Sequence, residues 1–147
     1  MGSDVITASA VIAAPPSTIF AILADPRQHQ RIDGSGTVTG HATGPERLSL
    51  GAQFGMGMKQ GAPYKTRNKV VEFEEDRLIA WRHIGAHRWR YELAPVDGGT
   101  RVTESWDLTH YPAFVRPVMR ALFGTKTQRA VDETLVRLAK AAAEDAA

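Results

Sequence analysis

Apolar and polar positions alternate from residue 4 to 14, with Ile6, Ala8, Ala10 and Ile12 on one side. This period of two predicts a strand with one buried face. Pro15 and Pro16 end it. Pro16 suits the first turn of a helix, where a missing N–H costs nothing. Ile19, Phe20, Leu23 and Ala24 then fall on one helical face. Asp25-Pro26 stops that helix, because the residue before a proline is pushed out of the α region. A second short helical turn is expected over Arg27–Arg31, before Gly34-Ser35-Gly36 breaks the chain.

From Thr37 to His110 the periodicity is that of strands. Thr37–Ala42 is a weak one, followed by a Gly44-Pro45 turn signal. In Gly51–Lys59, Phe54, Met56 and Met58 alternate with small or polar residues. In Pro63–Phe73, Tyr64, Thr66, Asn68 and Val70 alternate with Lys65, Arg67 and Lys69. Leu78–His83, Arg88–Ala94 and Arg101–Thr109 complete the set, joined by turns at Gly85-Ala86 and Asp97-Gly98-Gly99. From Ala113 to about Ala143 the chain turns helical, and Val131, Leu135, Leu138 and Ala142 form one stripe. Gly124 is expected to kink or break this segment into a short lead-in and a main helix. The order is β, one or two short helices, about six antiparallel strands and a long helix. A curved antiparallel sheet wrapped around such a helix buries one face and leaves the other wet.

The hairpin register follows from the sorting of side chains. A three-residue Ile84-Gly85-Ala86 loop pairs His83 with His87, Trp81 with Trp89 and Ile79 with Tyr91. Ile79, Trp81, Trp89, Tyr91 and Leu93 then share one face, while Arg82, Arg88, Arg90 and Glu92 share the other. A two-residue loop would mix these sets, since a one-residue slip flips every side chain. A two-residue Asp97-Gly98 turn next pairs Leu93 with Val102, Tyr91 with Glu104 and Trp89 with Trp106. The outcome is an aromatic face of Trp81, Trp89, Trp106 and Tyr91 with Glu104 in its midst.

Composition narrows the function. At 147 residues, 43% hydrophobic and 23% charged, the chain is expected to form one domain over residues 4–145. No apolar run approaches the roughly 20 residues of a membrane span. The N-terminus shows no basic region followed by an apolar stretch, so no signal peptide is expected. The absence of cysteine excludes disulfides and thiolate metal sites and agrees with a cytoplasmic setting. A net charge of +2 without a basic block argues against nucleic acid as a partner.

Ile12-Ala13-Ala14-Pro15-Pro16, Leu23-Ala24-Asp25-Pro26 and Gly98-Gly99-Thr100-Arg101-Val102-Thr103 carry a family likeness. With the element order, they make the chain resemble the START/birch-pollen-allergen (SRPBCC) superfamily, in its polyketide cyclase/dehydrase and lipid transport branch. The resemblance covers nearly the whole chain. It implies an α+β helix-grip fold, in which sheet and C-terminal helix enclose a cavity with the two short helices near one mouth. It also implies a small apolar molecule, such as a lipid or polyketide, as the partner. Members range from carriers to cyclases, and no shared catalytic motif transfers to this chain.

The candidate chemistry is sparse. Trp81, Trp89, Trp106 and Tyr91 either fill the core or line a pocket, with Phe54, Met56, Met58 and Tyr64 extending the lining and Leu135 facing it from the helix. Glu104, a carboxylate on an apolar face, should have a raised pKa. It is either an acid, base or ligand anchor, or a structural group held in an ion pair or by a hydrogen bond to Tyr91. His29 and Asp33, four apart, are either an acid–base pair at the cavity mouth or loop-capping groups. His83 and His87 flank a turn as rim contacts or solvated residues, and two histidines alone make no metal site. The glycine-rich segments lack the context of phosphate loops, so no cofactor is implied. Arg116, Arg120, Lys126, Arg129, Arg137 and Lys140 read most simply as a solvated helix face, and otherwise as a face attracted to an anionic membrane surface during lipid delivery. Three functions are open: binding a small hydrophobic ligand as a monomer or homodimer; polyketide cyclase or dehydratase chemistry through Glu104 or His29/Asp33; or a partner-binding module whose cavity is filled.

Overall fold

The computed structural model describes residues 4–82 and 85–146. A first strand β1 (Val5–Ile12) leads into helix α1 (Pro16–Leu23), a 3-10 turn (Pro26–Gln28) and the one-turn helix α2 (His29–Ile32). Six strands follow: β2 (Val38–Thr43), β3 (Gln53–Gln60), β4 (Ala62–Glu74), β5 (Leu78–Arg82), β6 (Arg88–Val96) and β7 (Gly99–Asp107). Helix α3 (Arg116–Ala146) closes the chain. The strands form one antiparallel sheet in the order β1-β7-β6-β5-β4-β3-β2, so the meander returns to lay β7 beside β1. This is the α+β helix-grip architecture.

Local chemistry sets the boundaries. Pro15 is extended and Pro16 opens α1, whose Ile19, Phe20, Ile22 and Leu23 are all buried. Each such side chain contributes about 1.5–3 kcal/mol on burial. The Asp25 carboxylate accepts from the Arg27 backbone N–H and turns the chain out of the helix. The register shifts between Val38 and Ala42, where Gly40 takes φ 89°, and again between Val70 and Glu72. Such irregularities bend strands and help the sheet curl.

The expected register holds. Ile79 pairs with Tyr91 and Trp81 with Trp89; Leu93 pairs with Val102, Tyr91 with Glu104 and Trp89 with Trp106. The His83–His87 pairing and the residues of that loop before Gly85 lie outside the described residues. On the outer face, Glu72 pairs with Arg88 (2.9 Å) and Arg90 (2.7 Å), and Arg90 also reaches Asp107 (2.9 Å).

Two expectations about the C-terminal region are corrected. α3 is one unbroken helix of 31 residues, about 46 Å long at 1.5 Å per residue. Gly124 lies inside it, because an isolated glycine lowers helix stability without ending the helix. Nor are Arg116 and Arg120 simply solvated. Both pair with Asp4, at 3.4 Å and 2.8 Å, and Arg116 also donates to the carbonyls of Thr109 and Tyr111. At the other end, Arg31 bonds Glu144, Asp145 and the Ala141 carbonyl. The helix is thus tied to the sheet edge at its start and to α2 at its end.

The core sits where α1 and the second half of α3 meet the sheet. Val131, Leu135, Leu138, Ala141 and Ala142 pack there with Ile19, Leu23, Ile79, Leu93 and Val102. The first half of α3 stands away from that core and roofs an open space.

Candidate functional site

That space is a cavity of about 430 Å³ between the sheet and α3, a volume within the range of small-molecule sites. Its floor comes from alternate positions of the middle strands, which the pleat turns to one face: Phe54, Met56 and Met58 of β3, Tyr64, Thr66 and Asn68 of β4, Trp81 of β5, Trp89 and Tyr91 of β6, and Glu104 and Trp106 of β7. His29, Ile32, Asp33, Ser35, Thr37 and Val38 close one side, and His87 lies near Trp106. Met119, Phe123, Lys126, Thr127, Ala130 and Thr134 form the roof.

The aromatic groups form two sets. The His29 imidazole stacks on Trp81 at 4.8 Å and 18°, Trp81 meets Tyr91 at 5.5 Å, and Phe54 stands nearly perpendicular to both His29 and Trp81. In the second set Trp89 and Trp106 lie 6.1 Å apart beside His87, whose Nδ1 is 2.9 Å from the Tyr111 hydroxyl. Such rings offer large, rigid apolar surface.

Glu104 is the ionisable group set most deeply in this lining. It is 2% exposed, and the Tyr91 hydroxyl donates to its Oε2 at 3.0 Å. Burial pushes its pKa up to about 8; Asp33 and Asp132 push in the same direction, and the Tyr91 hydrogen bond opposes them. Burial likewise raises the Tyr91 phenol, aided by Glu104. The carboxyl is therefore largely protonated at neutral pH. Its Oε1 and the Nε1 of Trp106 are buried without a hydrogen-bond partner.

His29 and Asp33 are not paired to each other by a hydrogen bond. His29 Nε2 is 2.9 Å from the Leu23 carbonyl, which can only accept, so Nε2 carries the proton and Nδ1 is left as an acceptor. Burial lowers the pKa of this imidazole, against the Leu23 carbonyl, Asp25 and Asp33. The Asp33 carboxylate accepts from the backbone N–H groups of Ser35 and Val38 and from the Ser35 hydroxyl. It shapes the loop that carries Gly34 against α3, where a Cβ on Gly34 would stand 2.3 Å from the Ala130 carbonyl oxygen. Among the described residues no three histidine, aspartate or glutamate side chains gather as metal ligands.

The model of the family described as polyketide cyclase / dehydrase and lipid transport matches residues 4–143. The chain belongs to that family. Uncharacterized protein Rv0088 of Mycobacterium tuberculosis is 41% identical over 108 residues, which are 72% of this chain and 48% of that protein. The chain thus spans about half the length of the curated relatives it matches. Among solved structures, a protein from Rhodobacter sphaeroides superposes with a TM-score of 0.75 at 17% identity, covering 97% of this chain and 95% of that one. A protein from Nitrosomonas europaea gives 0.71 at 14%, covering 98% and 97%. An AHSA1-like protein from Aeromonas hydrophila gives 0.67 at 18%, covering 93% of each. At these identities the likeness is one of fold, and it agrees with the helix-grip resemblance read from the sequence.

Within this polyketide cyclase/dehydrase family member, the residues singled out from sequence fall as follows. Phe54, Met56, Met58, Tyr64, Trp81, Trp89, Tyr91, Glu104 and Trp106 line the cavity, as do His29 and Asp33. Tyr64 is 42% exposed and stands at the rim. Leu135 is buried in the core and off the cavity wall, on the stripe that packs beneath it. His83 lies outside the described residues. Sequence reasoning missed the roof, Met119, Phe123, Thr127, Ala130 and Thr134. Their spacing of four, four, three and four is a helical stripe, but it parallels the Val131–Leu138 stripe and resembles a core face. No helix among the described residues is long and apolar enough to cross a membrane.

Proposed function

We propose that this protein binds a small, largely apolar molecule in the cavity between sheet and α3. The observation that carries this reading is the open volume itself, about 430 Å³, with seven aromatic and three methionine side chains in its wall. A few polar groups among apolar walls are the usual make-up of such a site. Trp81, Trp89, Tyr91, Phe54 and Met56 would bury the body of the ligand, and Glu104 would orient one polar group. The family's ligand-binding fold supports the same reading. The open cavity counts against a module whose interior is filled by its own side chains.

A second reading, cyclase- or dehydratase-type catalysis, is favoured by one observation. A carboxyl with a pKa near 8 inside an apolar cavity suits proton transfer at neutral pH. Glu104 would act there as acid or base. His29 and Asp33 are poorer candidates, since Nε2 of one is held by a backbone carbonyl and the carboxylate of the other by its own loop.

Native mass spectrometry of freshly purified protein, followed by extraction of the bound material, tests the first reading. A stoichiometric apolar molecule supports it and names the class to assay for turnover. An empty protein that gains no thermal stability from a panel of lipids and aromatic polyketides overturns both cavity readings.

A further inference from the structure

Two polar atoms in the cavity-lining residues have no partner in the protein. Oε1 of Glu104 and Nε1 of Trp106 are buried without a hydrogen bond. Their residues are 2% and 3% exposed. They stand two apart on β7 and so share one face of the sheet. Orphaned buried polar atoms are rare in folded proteins, because desolvation is not repaid by a protein contact.

The chemistry of both orphans is the same. An indole N–H donates and cannot accept. In Glu104 the Tyr91 hydroxyl donates to Oε2, so in the neutral carboxyl Oε2 is the carbonyl-type oxygen. Burial and the nearby Asp33 and Asp132 carboxylates keep the proton on that carboxyl, and it then resides on Oε1. Two donors share one stretch of wall, and what they lack is an acceptor.

We propose that the ligand of this cavity carries a neutral acceptor oxygen, of ketone, ester or amide type, which takes hydrogen bonds from Oε1 of Glu104 and Nε1 of Trp106. The inference rests on the cavity-binding reading. An sp2 oxygen has two lone pairs and serves two donors at once. A carboxylate or phosphate would meet the same burial and the same negative field that keep Glu104 uncharged. An ammonium has no lone pair to offer. The rest of the ligand lies against the rings of Trp81 and Trp89.

The other ionisable groups facing the cavity are His29 and Asp33 on one side, Tyr64 of β4, His87 and Tyr91 of β6 and its approach, and Lys126 of α3, with Asp132 further along α3. A pH response must therefore be traced to Glu104 by substitution. Glu104→Gln does this, because an amide keeps both the oxygen that Tyr91 contacts and an N–H donor while losing the titration.

The test is calorimetric titration of the protein with fluorene, 9-fluorenone and fluorene-9-carboxylate, three probes of similar shape. At about pH 6.5 the ketone should bind about tenfold more tightly than the other two. Near pH 9.5 that advantage should fall below about threefold, as Glu104 gives up its proton. E104Q should retain the advantage at both pH values, and W106F should lose part of it. Equal binding of ketone and hydrocarbon by the native protein overturns this inference and leaves the cavity reading standing. A pH response that persists in E104Q overturns the role of Glu104. Failure of all three probes to bind overturns this inference, and the cavity reading falls with it where native mass spectrometry also finds the protein empty.

Discussion

The Tyr91 hydroxyl donates to Oε2 of Glu104 at 3.0 Å across neighbouring strands, deep in the cavity wall. The pair makes the site's chemistry depend on one proton. Because burial raises the folded-state pKa of Glu104 to about 8, above its unfolded value, the folded protein holds a proton that the unfolded chain releases.

Stability should follow that proton. The contribution of a protonated Glu104 is fully present below the unfolded pKa of about 4.5 and is lost as pH rises through about 8. Other groups act in the opposite sense: the lowered pKa of His29 gives stability that is lost as pH falls below the ordinary imidazole value. The difference between native protein and E104Q isolates Glu104. Urea unfolding of the two between about pH 5 and 9 should show E104Q gaining a few kcal/mol relative to native protein as pH rises. Parallel curves would refute the raised pKa.

Substitution at two glycines should have opposite effects. Gly124 lies inside α3, two turns from its start, and a Cβ there would meet only Ile6 Cδ1, at 3.5 Å. G124A should stabilise by about 0.5–1 kcal/mol, through backbone entropy. At Gly34 a Cβ would stand 2.3 Å from the Ala130 oxygen and 2.6 Å from the Thr134 nitrogen, both backbone. G34A should destabilise by about 1–3 kcal/mol, by pushing the loop off the helix. Thermal and urea unfolding of the two variants measure both values.

The Glu72–Arg90–Asp107 cluster covers the outer face opposite the cavity, with Arg90 joining both carboxylates. Its arginines hold the Glu72 carboxyl below its ordinary pKa. E72Q should lower stability by about 1 kcal/mol. The loss should shrink between about 0.02 M and 0.5 M salt, as screening weakens the native pairs. An unchanged midpoint at low salt would mean the cluster contributes nothing.

Every tryptophan of the chain lines the cavity. A neutral apolar probe such as N-phenyl-1-naphthylamine should therefore quench tryptophan emission to saturation at one probe per chain. A130F, which adds a ring to the cavity's roof, should weaken that binding about tenfold while leaving the far-ultraviolet dichroism intact. Undiminished binding by A130F would place the probe elsewhere.

Much of the floor was legible in the sequence, and the roof was not. Strand periodicity and two short turns suffice to pair Trp81 with Trp89 and Tyr91 with Glu104, because a slip of one residue would send charged side chains inward. No comparable rule locates Met119, Phe123 or Thr127. Their positions depend on where a long helix crosses the sheet, which is set by the packing of its Val131–Ala142 stripe on α1 and the sheet, with the pairs Asp4–Arg120 and Arg31–Asp145 at its ends. The stack of His29 on Trp81 and the partition of Asp33 into its loop are likewise long-range outcomes.

The sequence by itself determined the order of elements, the register of the aromatic hairpins and the family, since these rest on local periodicity, turn chemistry and motif. Tertiary structure alone decided that the helix runs unbroken past Gly124, that Leu135 fills core while Thr134 lines the cavity, and that Glu104 is left with one oxygen unpartnered. Those outcomes depend on how far apart two packed surfaces are held, a distance set by the sum of many side chains rather than by any local pattern.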